Sequence, residues 1–153
     1  RWYGGFQSYI VAQEFNCEKW TQESHAKREY EDKIPDLNHL QRLSWGAWMN
    51  TLSTFKYAVH LMPTVAAGTF SLNCAYFGIP CIGNIKVDTQ RLCHPELSVA
   101  VDDVEKARKL ANKLQNDNEF YNVCSENSKK LYREHYDLKL WKKKMDLKLR
   151  DLN

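Results

Sequence analysis

Short apolar runs alternate with amphipathic stretches along most of the chain. The runs 57–62 and 79–83 are nearly continuous in apolar residues, which is typical of strands buried on both faces. A third apolar run covers 97–101, and a further short strand is predicted at 39–43. The polar stretch 84–96 is interpreted as a long loop between two of these strands.

Helical periodicity occupies most of the intervals between the strands. Helices are predicted over 45–55, 69–77, 102–114 and 117–136. In the first, third and fourth of these, apolar residues recur every three or four positions. Gly78 stands where a left-handed C-cap would end the second helix, and Pro80 prevents its continuation. Asp102 and Glu105 predict a capping box for the third helix, and Asp117 predicts an N-cap for the fourth.

This order of strands and helices predicts an α/β fold: a Rossmann-like three-layer domain with a parallel sheet and C-terminal helices. The predicted domain covers 37–136, and a basic amphipathic helix covers 137–153. Residues 1–36 form a segment of uncertain structure. Within it, 9–12 suits either a strand or a short helix, and 18–32 is polar and mostly helix-forming.

Composition narrows the class of protein. The chain has 153 residues, of which 43% are hydrophobic and 12% aromatic, enough for one domain with a real core. Wholesale disorder is excluded on this basis. No apolar run approaches the roughly 20 residues that a membrane-spanning helix needs.

Charge separates the two ends of the chain. The formal net charge is +3, but residues 129–153 carry nine basic and four acidic side chains, a net of +5. The balance of the whole chain is far from that of a dedicated nucleic-acid binder, so no nucleic-acid partner is expected. The basic tail, with Trp141 beside three lysines, could lie on an anionic membrane surface or form a solvated helix face.

The five cysteines show neither the pattern of a disulfide framework nor that of a zinc site. Their number is odd and no CxxC occurs. Cys93 and His94 form the one metal-like pair, and neighbours in sequence seldom ligate one ion together. We therefore expect no metal and no cofactor. We also expect a reducing, cytoplasmic setting, membrane-peripheral if the tail binds lipid.

The candidate site follows the strand at 57–62. In an open parallel sheet, ligands bind beyond the carboxyl ends of the strands. The small residues before Gly68 would let backbone approach a ligand closely. Thr69, Phe70 and Ser71 would then present helix N-terminal amides to an anion such as a phosphate. The alternative interpretation is an ordinary tight connection between strand and helix.

Polar residues of the 84–96 segment could contribute to the same edge of the sheet. Arg91 could pair with a phosphate, and Asp88 or Gln90 could hold a sugar hydroxyl. A solvated loop is the alternative. His60 is predicted to be a core histidine, and Trp45 to pack in the core rather than to stack on a nucleobase.

The segment 55–84 has an arrangement found in one enzyme family. A buried strand leads into a glycine-containing loop and a helix, and Gly78, Pro80 and Ile82 form a G-x-P-x-I turn into the next strand. This arrangement resembles the C-terminal, donor-binding half of GT-B-fold glycosyltransferases of the group 1 type. The resemblance extends over about residues 38–140.

The resemblance implies a function and a set of contacts. Gly68, Thr69 and Phe70 would offer amides to the diphosphate of a nucleotide diphosphate sugar, whose sugar is transferred to an acceptor without a metal. In the family, the acceptor site belongs to an N-terminal domain. We therefore expect this chain to be the excised donor-binding half of a longer enzyme, which catalyses little alone.

The chain departs from the family at two positions. Many retaining members carry two glutamates eight positions apart, and these fall here on Val65 and Asn73. Asn73 could still donate a hydrogen bond to a ribose hydroxyl, but valine cannot replace a carboxylate. The missing carboxylates motivate an alternative, a non-catalytic α/β interaction domain derived from the same fold. A nucleotide-sugar epimerase on the same architecture is a further alternative.

Overall fold

The computed structural model describes residues 5–22, 33–66 and 68–150. These residues form an α/β structure with parallel strands and C-terminal helices, as the sequence predicts. The elements in chain order are α1 (Gly5–Ala12), β1 (Lys19–Gln22), β2 (Leu37–Leu40), α2 (Trp45–Leu52), β3 (Ala58–His60), α3 (Thr69–Phe77), β4 (Cys81–Asn84), α4 (Asp88–Cys93), β5 (Ser98–Val99), α5 (Val104–Asn116), α6 (Asn118–Tyr136) and α7 (Leu138–Arg150).

The strands form two parallel sheets. The larger has the order β3-β4-β5, with Ala58 opposite Cys81 and Gly83 opposite Ser98. The smaller pairs β1 with β2, placing Lys19 opposite Leu37. The strand predicted at 39–43 therefore starts two residues earlier, and it belongs to a second sheet with β1.

Alternate residues of the larger sheet face two different helical layers, because successive side chains of a strand point to opposite faces. Val59 and Ile82 join a core cluster with residues of α1, α5 and α6. Ala58 and Cys81 join a second cluster with residues of α2 and α3. The sheet is therefore the middle layer of three.

The ends of two helices are formed as predicted. Gly78 adopts a left-handed conformation with φ of 73°, and the Ile79 amide donates to the Cys74 carbonyl at 2.8 Å. Asp117 caps α6 by accepting from the Phe120 amide at 2.8 Å. Both caps satisfy backbone groups that a helix end leaves without an internal partner.

The prediction of a loop over 84–96 is wrong. The segment contains α4 and a 3-10 helix at Pro95–Leu97. The sequence pattern did not indicate this helix because several of its polar side chains are buried: Thr89 and Gln90 point inward together with Cys93. Polar residues that bond to backbone inside a protein do not produce the apolar periodicity of an ordinary amphipathic helix.

The start of α5 also differs from the prediction. Asp103, not Asp102, is the N-cap, and its carboxylate accepts from the Lys106 amide at 3.1 Å. Glu105 pairs with Lys109 at 2.8 Å instead of reaching back to the cap. The pattern of adjacent aspartates left the cap ambiguous by one residue.

The N-terminal segment takes the helical alternative at 9–12, which lies within α1. The helix predicted over 18–32 is wrong at its start, because 19–22 form β1. Residues 23–32 lie outside the described part of the chain. β-Strand pairing with β2 overrides the local helical preference of this polar stretch.

The last helix lies on the outside of the structure. No residue of α7 is buried, and Leu138 and Trp141 are 61% and 56% exposed. α7 contacts α6, the preceding helix. Within the described ranges, no helix is long and apolar enough to cross a bilayer.

Candidate functional site

Gly68 shapes the connection between β3 and α3. It is buried and left-handed, with φ of 66° and ψ of 37°. A Cβ atom at this position would collide with Thr89 Oγ1 and Val87 Cγ1. Glycine is therefore required here twice, because of its backbone conformation and because α4 packs directly against the turn.

The start of α3 offers backbone donors toward the carboxyl edge of the sheet. The helical hydrogen-bond ladder begins with the Leu72 amide, which donates to the Gly68 carbonyl at 3.2 Å. The amides of Thr69, Phe70 and Ser71 precede that first bond. Gly68, the N-cap, supplies no side chain to cap them. Such a helix start favours an anion through its amides and the helix dipole.

Two hydroxyl groups fix this turn from the inside. Thr89 Oγ1 donates to the Gly68 carbonyl at 2.7 Å, and Ser71 Oγ lies 3.0 Å from the same carbonyl. The two hydroxyl oxygens are 2.8 Å apart. Ser71 is 1% exposed. Its hydroxyl therefore serves the turn inside the protein and is not offered to a ligand.

The buried His94 side chain contacts the first turn of α3. Its Nε2 lies 3.0 Å from the Ser71 carbonyl, and because a carbonyl only accepts, Nε2 carries the proton. Nδ1 is buried without a hydrogen-bond partner. Burial lowers the pKa of His94 to about 4. The ring is therefore neutral at pH 7 and adds no charge beneath the site.

Asn84 ties the ends of two neighbouring strands together. Its Nδ2 donates to the Met62 carbonyl at 2.8 Å, and its Oδ1 accepts from the Lys86 amide at 3.0 Å. Lys86 is exposed at this carboxyl edge, next to Val87, the residue that packs on Gly68. Sequence reasoning missed both residues. The signal for Asn84 was a polar residue directly after a buried apolar run.

An aromatic group lies beside the turn. The His60 ring is 5.1 Å from that of Phe70, edge to face, and the Trp48 ring is 6.2 Å from Phe70. His60 is half-buried at the end of β3, and burial lowers its pKa. Trp45 is 65% exposed, so the prediction that it packs in the core is wrong.

The remaining candidate residues are dispersed. Gln90 is 1% exposed, and its Nε2 donates to the Cys81 carbonyl at 2.8 Å, so its amide braces β4 inside the protein. Arg91 is exposed and pairs with Asp88 at 3.1 Å. Asn73 is half-buried one turn along α3, and Val65 is exposed. The structure thus gathers Gly68, Thr69, Phe70 and Ser71 in one turn.

The cysteines are mostly interior. Cys74, Cys81, Cys93 and Cys124 are buried, and Cys17 is exposed. Burial raises the pKa of Cys93 to about 11 and that of Cys124 to about 12, so both thiols stay protonated at pH 7. Among residues 5–22, 33–66 and 68–150, no group of three or more His, Cys, Asp and Glu side chains is placed to hold a metal ion.

Comparison with known proteins identifies no relative of this chain. No protein-family model, no curated protein and no solved structure matches the chain.

Proposed function

We propose that the chain binds the diphosphate of a nucleotide diphosphate sugar at the start of α3. In this proposal it is the donor-binding half of a glycosyltransferase, as its resemblance to the GT-B family implies. One observation carries the proposal: Gly68 turns the backbone so that three amides precede the first bond of α3 at the carboxyl edge of a parallel sheet.

The electrostatics of this edge favour an anion. The amides and the helix dipole together provide partial positive charge, and the exposed Lys86 adds a full charge near the same turn. His94 is neutral, so the phosphate affinity does not depend on its protonation at pH 7. During sugar transfer, the same amides would stabilise the charge that develops on the leaving diphosphate.

The proposal assigns different roles to the other candidate residues. Thr89 and the Ser71 hydroxyl position the turn, and Gln90 braces the sheet beneath it. Asn73 would donate a hydrogen bond to a ribose hydroxyl, as the resemblance to the family suggests. The acceptor and the groups that act on it would come from another domain, so no catalytic residue is assigned in this chain.

Isothermal titration calorimetry with UDP, GDP, their sugars and the free nucleosides tests this proposal. We expect millimolar to micromolar binding of one diphosphate series and no measurable binding of the matching nucleoside. Equal binding of nucleoside and diphosphate would contradict the diphosphate assignment. With the full-length enzyme, a glycosylated acceptor would indicate a transferase, and a free epimerised sugar nucleotide would indicate the epimerase alternative.

We propose a second, non-catalytic role for α7 at an anionic membrane surface. Leu138, Trp141 and Met145 lie at spacings of three and four residues, which places them on one helix face. All three side chains are exposed. The helix carries six basic side chains and one acidic side chain. An exposed apolar face flanked by lysines is the pattern of an interfacial helix.

A further inference from the structure

A cavity separates the two sheets. Its volume is about 1360 Å³, and its walls include β1 with all four of its residues and the consecutive residues 54–59, which lead into β3. Side chains of successive strand residues point to opposite faces of a sheet. A cavity that all residues of a strand line must therefore lie beside the edge of that strand and not over one face. The edges of β1 and β3 therefore face one another across the cavity.

Both edges are open in the described part of the chain. β1 pairs with β2 on its other side, and β3 pairs with β4 on its other side. An unpaired edge presents a row of N–H and C=O groups that can bond to another strand. Every pairing in the two sheets is parallel, so a strand between them would extend both in the same manner.

The position of α1 indicates which segment would supply that strand. α2 and α3 cover one face of the larger sheet, whereas Val11 of α1 packs on the other face with α5. Ser8 Oγ accepts from the Leu61 amide at 3.0 Å, which holds α1 beside the end of β3. Connections between parallel strands are right-handed. Because α1 lies on the opposite face from α2 and α3, a right-handed connection through α1 to β1 crosses the sheet in the opposite direction to theirs. The strand that precedes α1 therefore lies on the side of β1 that faces β3.

We propose that a parallel β-strand, leading directly into α1, occupies this cavity and joins the two sheets into one. The combined strand order is β2, β1, the inserted strand, β3, β4 and β5. This is the order of a doubly wound sheet, in which the direction of the connections reverses next to the first strand. The reversal falls between the inserted strand and β3, beside the loop that ends at Gly68.

The dimensions and the lining of the cavity fit one strand. Six residues in a sheet between two helical layers occupy roughly 1000 Å³, from the strand rise and the strand and layer spacings. The cavity lining includes Ala12 and Phe15 near one face, and Trp48, Leu52 and Phe70 near the other. A strand buried on both faces is continuously apolar.

Extension of the chain before Arg1 tests the proposal. One variant carries the apolar strand VIVVIV, and a matched control carries VIPPIV, whose prolines cannot donate to a sheet. Hydrogen–deuterium exchange is measured over the peptides that cover 17–22 and 54–60, together with the melting temperature of the monomer isolated by gel filtration. We expect VIVVIV to slow exchange in both peptides at least tenfold relative to VIPPIV and to raise the melting temperature by roughly 5 °C.

Two outcomes would overturn the proposal. One is equal exchange and equal melting temperature in the two extended chains. The other is full protection of both edges in the monomer without any extension, since the gap would then already be closed. Protection that appears only in a dimer fraction would assign the gap to a second copy and would also contradict the proposed strand.

Discussion

The hydroxyl of Thr89 donates a 2.7 Å hydrogen bond to the carbonyl of Gly68 and thereby joins α4 to the first turn of α3. Both residues are buried, so neither group can form a hydrogen bond to water instead. The polar segment 88–93 therefore acts as structural support for the candidate anion site, a role that sequence analysis did not assign to it.

Removal of this donor should loosen the turn. We expect Thr89→Val to lower the free energy of unfolding by about 1–2 kcal/mol, because a buried carbonyl loses one of its partners. Urea denaturation measures the change. Ser71→Ala is the companion variant, and the double variant should show a coupling of about 0.5–1.5 kcal/mol, since the two hydroxyls contact each other. Additive effects would mean that the two hydroxyls act separately.

Substitution of Gly68 should be far more disruptive than substitution of another glycine. Gly68→Ala places a Cβ against Val87 and Thr89 in a left-handed residue, so we expect a loss of about 2–4 kcal/mol. Gly46→Ala in α2 is the matched control, because its Cβ meets open space within a helix. That control should be neutral or more stable by up to about 1 kcal/mol. Similar urea midpoints for both variants would contradict the packing described for Gly68.

The buried His94 should make the protein sensitive to acid. Its pKa is lowered from 6.5 to about 4 in the folded state, so the unfolded chain binds the proton more readily. Stability is therefore retained above about pH 6.5 and lost as the pH falls toward 4, by up to about 3 kcal/mol. Burial also lowers the pKa of His60, which acts in the same direction.

Urea denaturation between pH 4 and pH 8 measures this dependence. His94→Gln should flatten the profile while lowering stability at pH 7, because the bond to the Ser71 carbonyl is perturbed. The exposed His135 provides the control: His135→Gln should keep the wild-type slope. A slope that survives in His94→Gln would assign the acid sensitivity to other groups.

Lys86 should contribute to diphosphate binding without supporting the fold. We expect Lys86→Gln to weaken binding of the best nucleotide diphosphate about three- to tenfold, with an unchanged melting temperature, since the side chain is exposed. Lys106→Gln, at an exposed position of α5, is the charge-matched control and should bind like the wild type. Equal weakening by both substitutions would indicate a general charge effect. The measurement is calorimetry at two salt concentrations.

The proposed role of α7 predicts selective binding to anionic vesicles. The full chain should sediment with vesicles that contain phosphatidylglycerol and remain in solution with pure phosphatidylcholine. Trp141→Ala should reduce the bound fraction several-fold, and so should neutralisation of Lys142, Lys143 and Lys144 by glutamine. Binding that is insensitive to Trp141→Ala would point to charge alone, and no binding to either vesicle would contradict the role.

Local sequence signals predicted the parts of the fold that depend on local physics. The helix 69–77 and its glycine C-cap were predicted at their observed bounds, because the left-handed preference of Gly78 and the exclusion of Pro80 from a helix interior act within a few residues. The cap at Asp117 is confirmed for the same reason. The turn at Gly68 was located, but its support from Thr89 was not, because that contact joins residues 21 positions apart.

Tertiary contacts account for the main errors. β1 was predicted as helix because its strand character comes from pairing with β2, from which residues 23–36 separate it in the chain. α4 was predicted as loop because its buried residues bond to backbone of other elements. Gln90 was assigned to a ligand, although it bonds to the Cys81 carbonyl. In each case the partner that determines the structure is distant in sequence.

The distribution of buried and exposed thiols allows a single dye to report on the joining of the two sheets. Four cysteines are buried, whereas Cys17 is exposed and lies on the wall of the cavity between β1 and β3. A maleimide dye at neutral pH should therefore attach at a single position without any engineering. Its emission would change when a strand fills the cavity, so that the joining of the two sheets could be followed in real time by fluorescence.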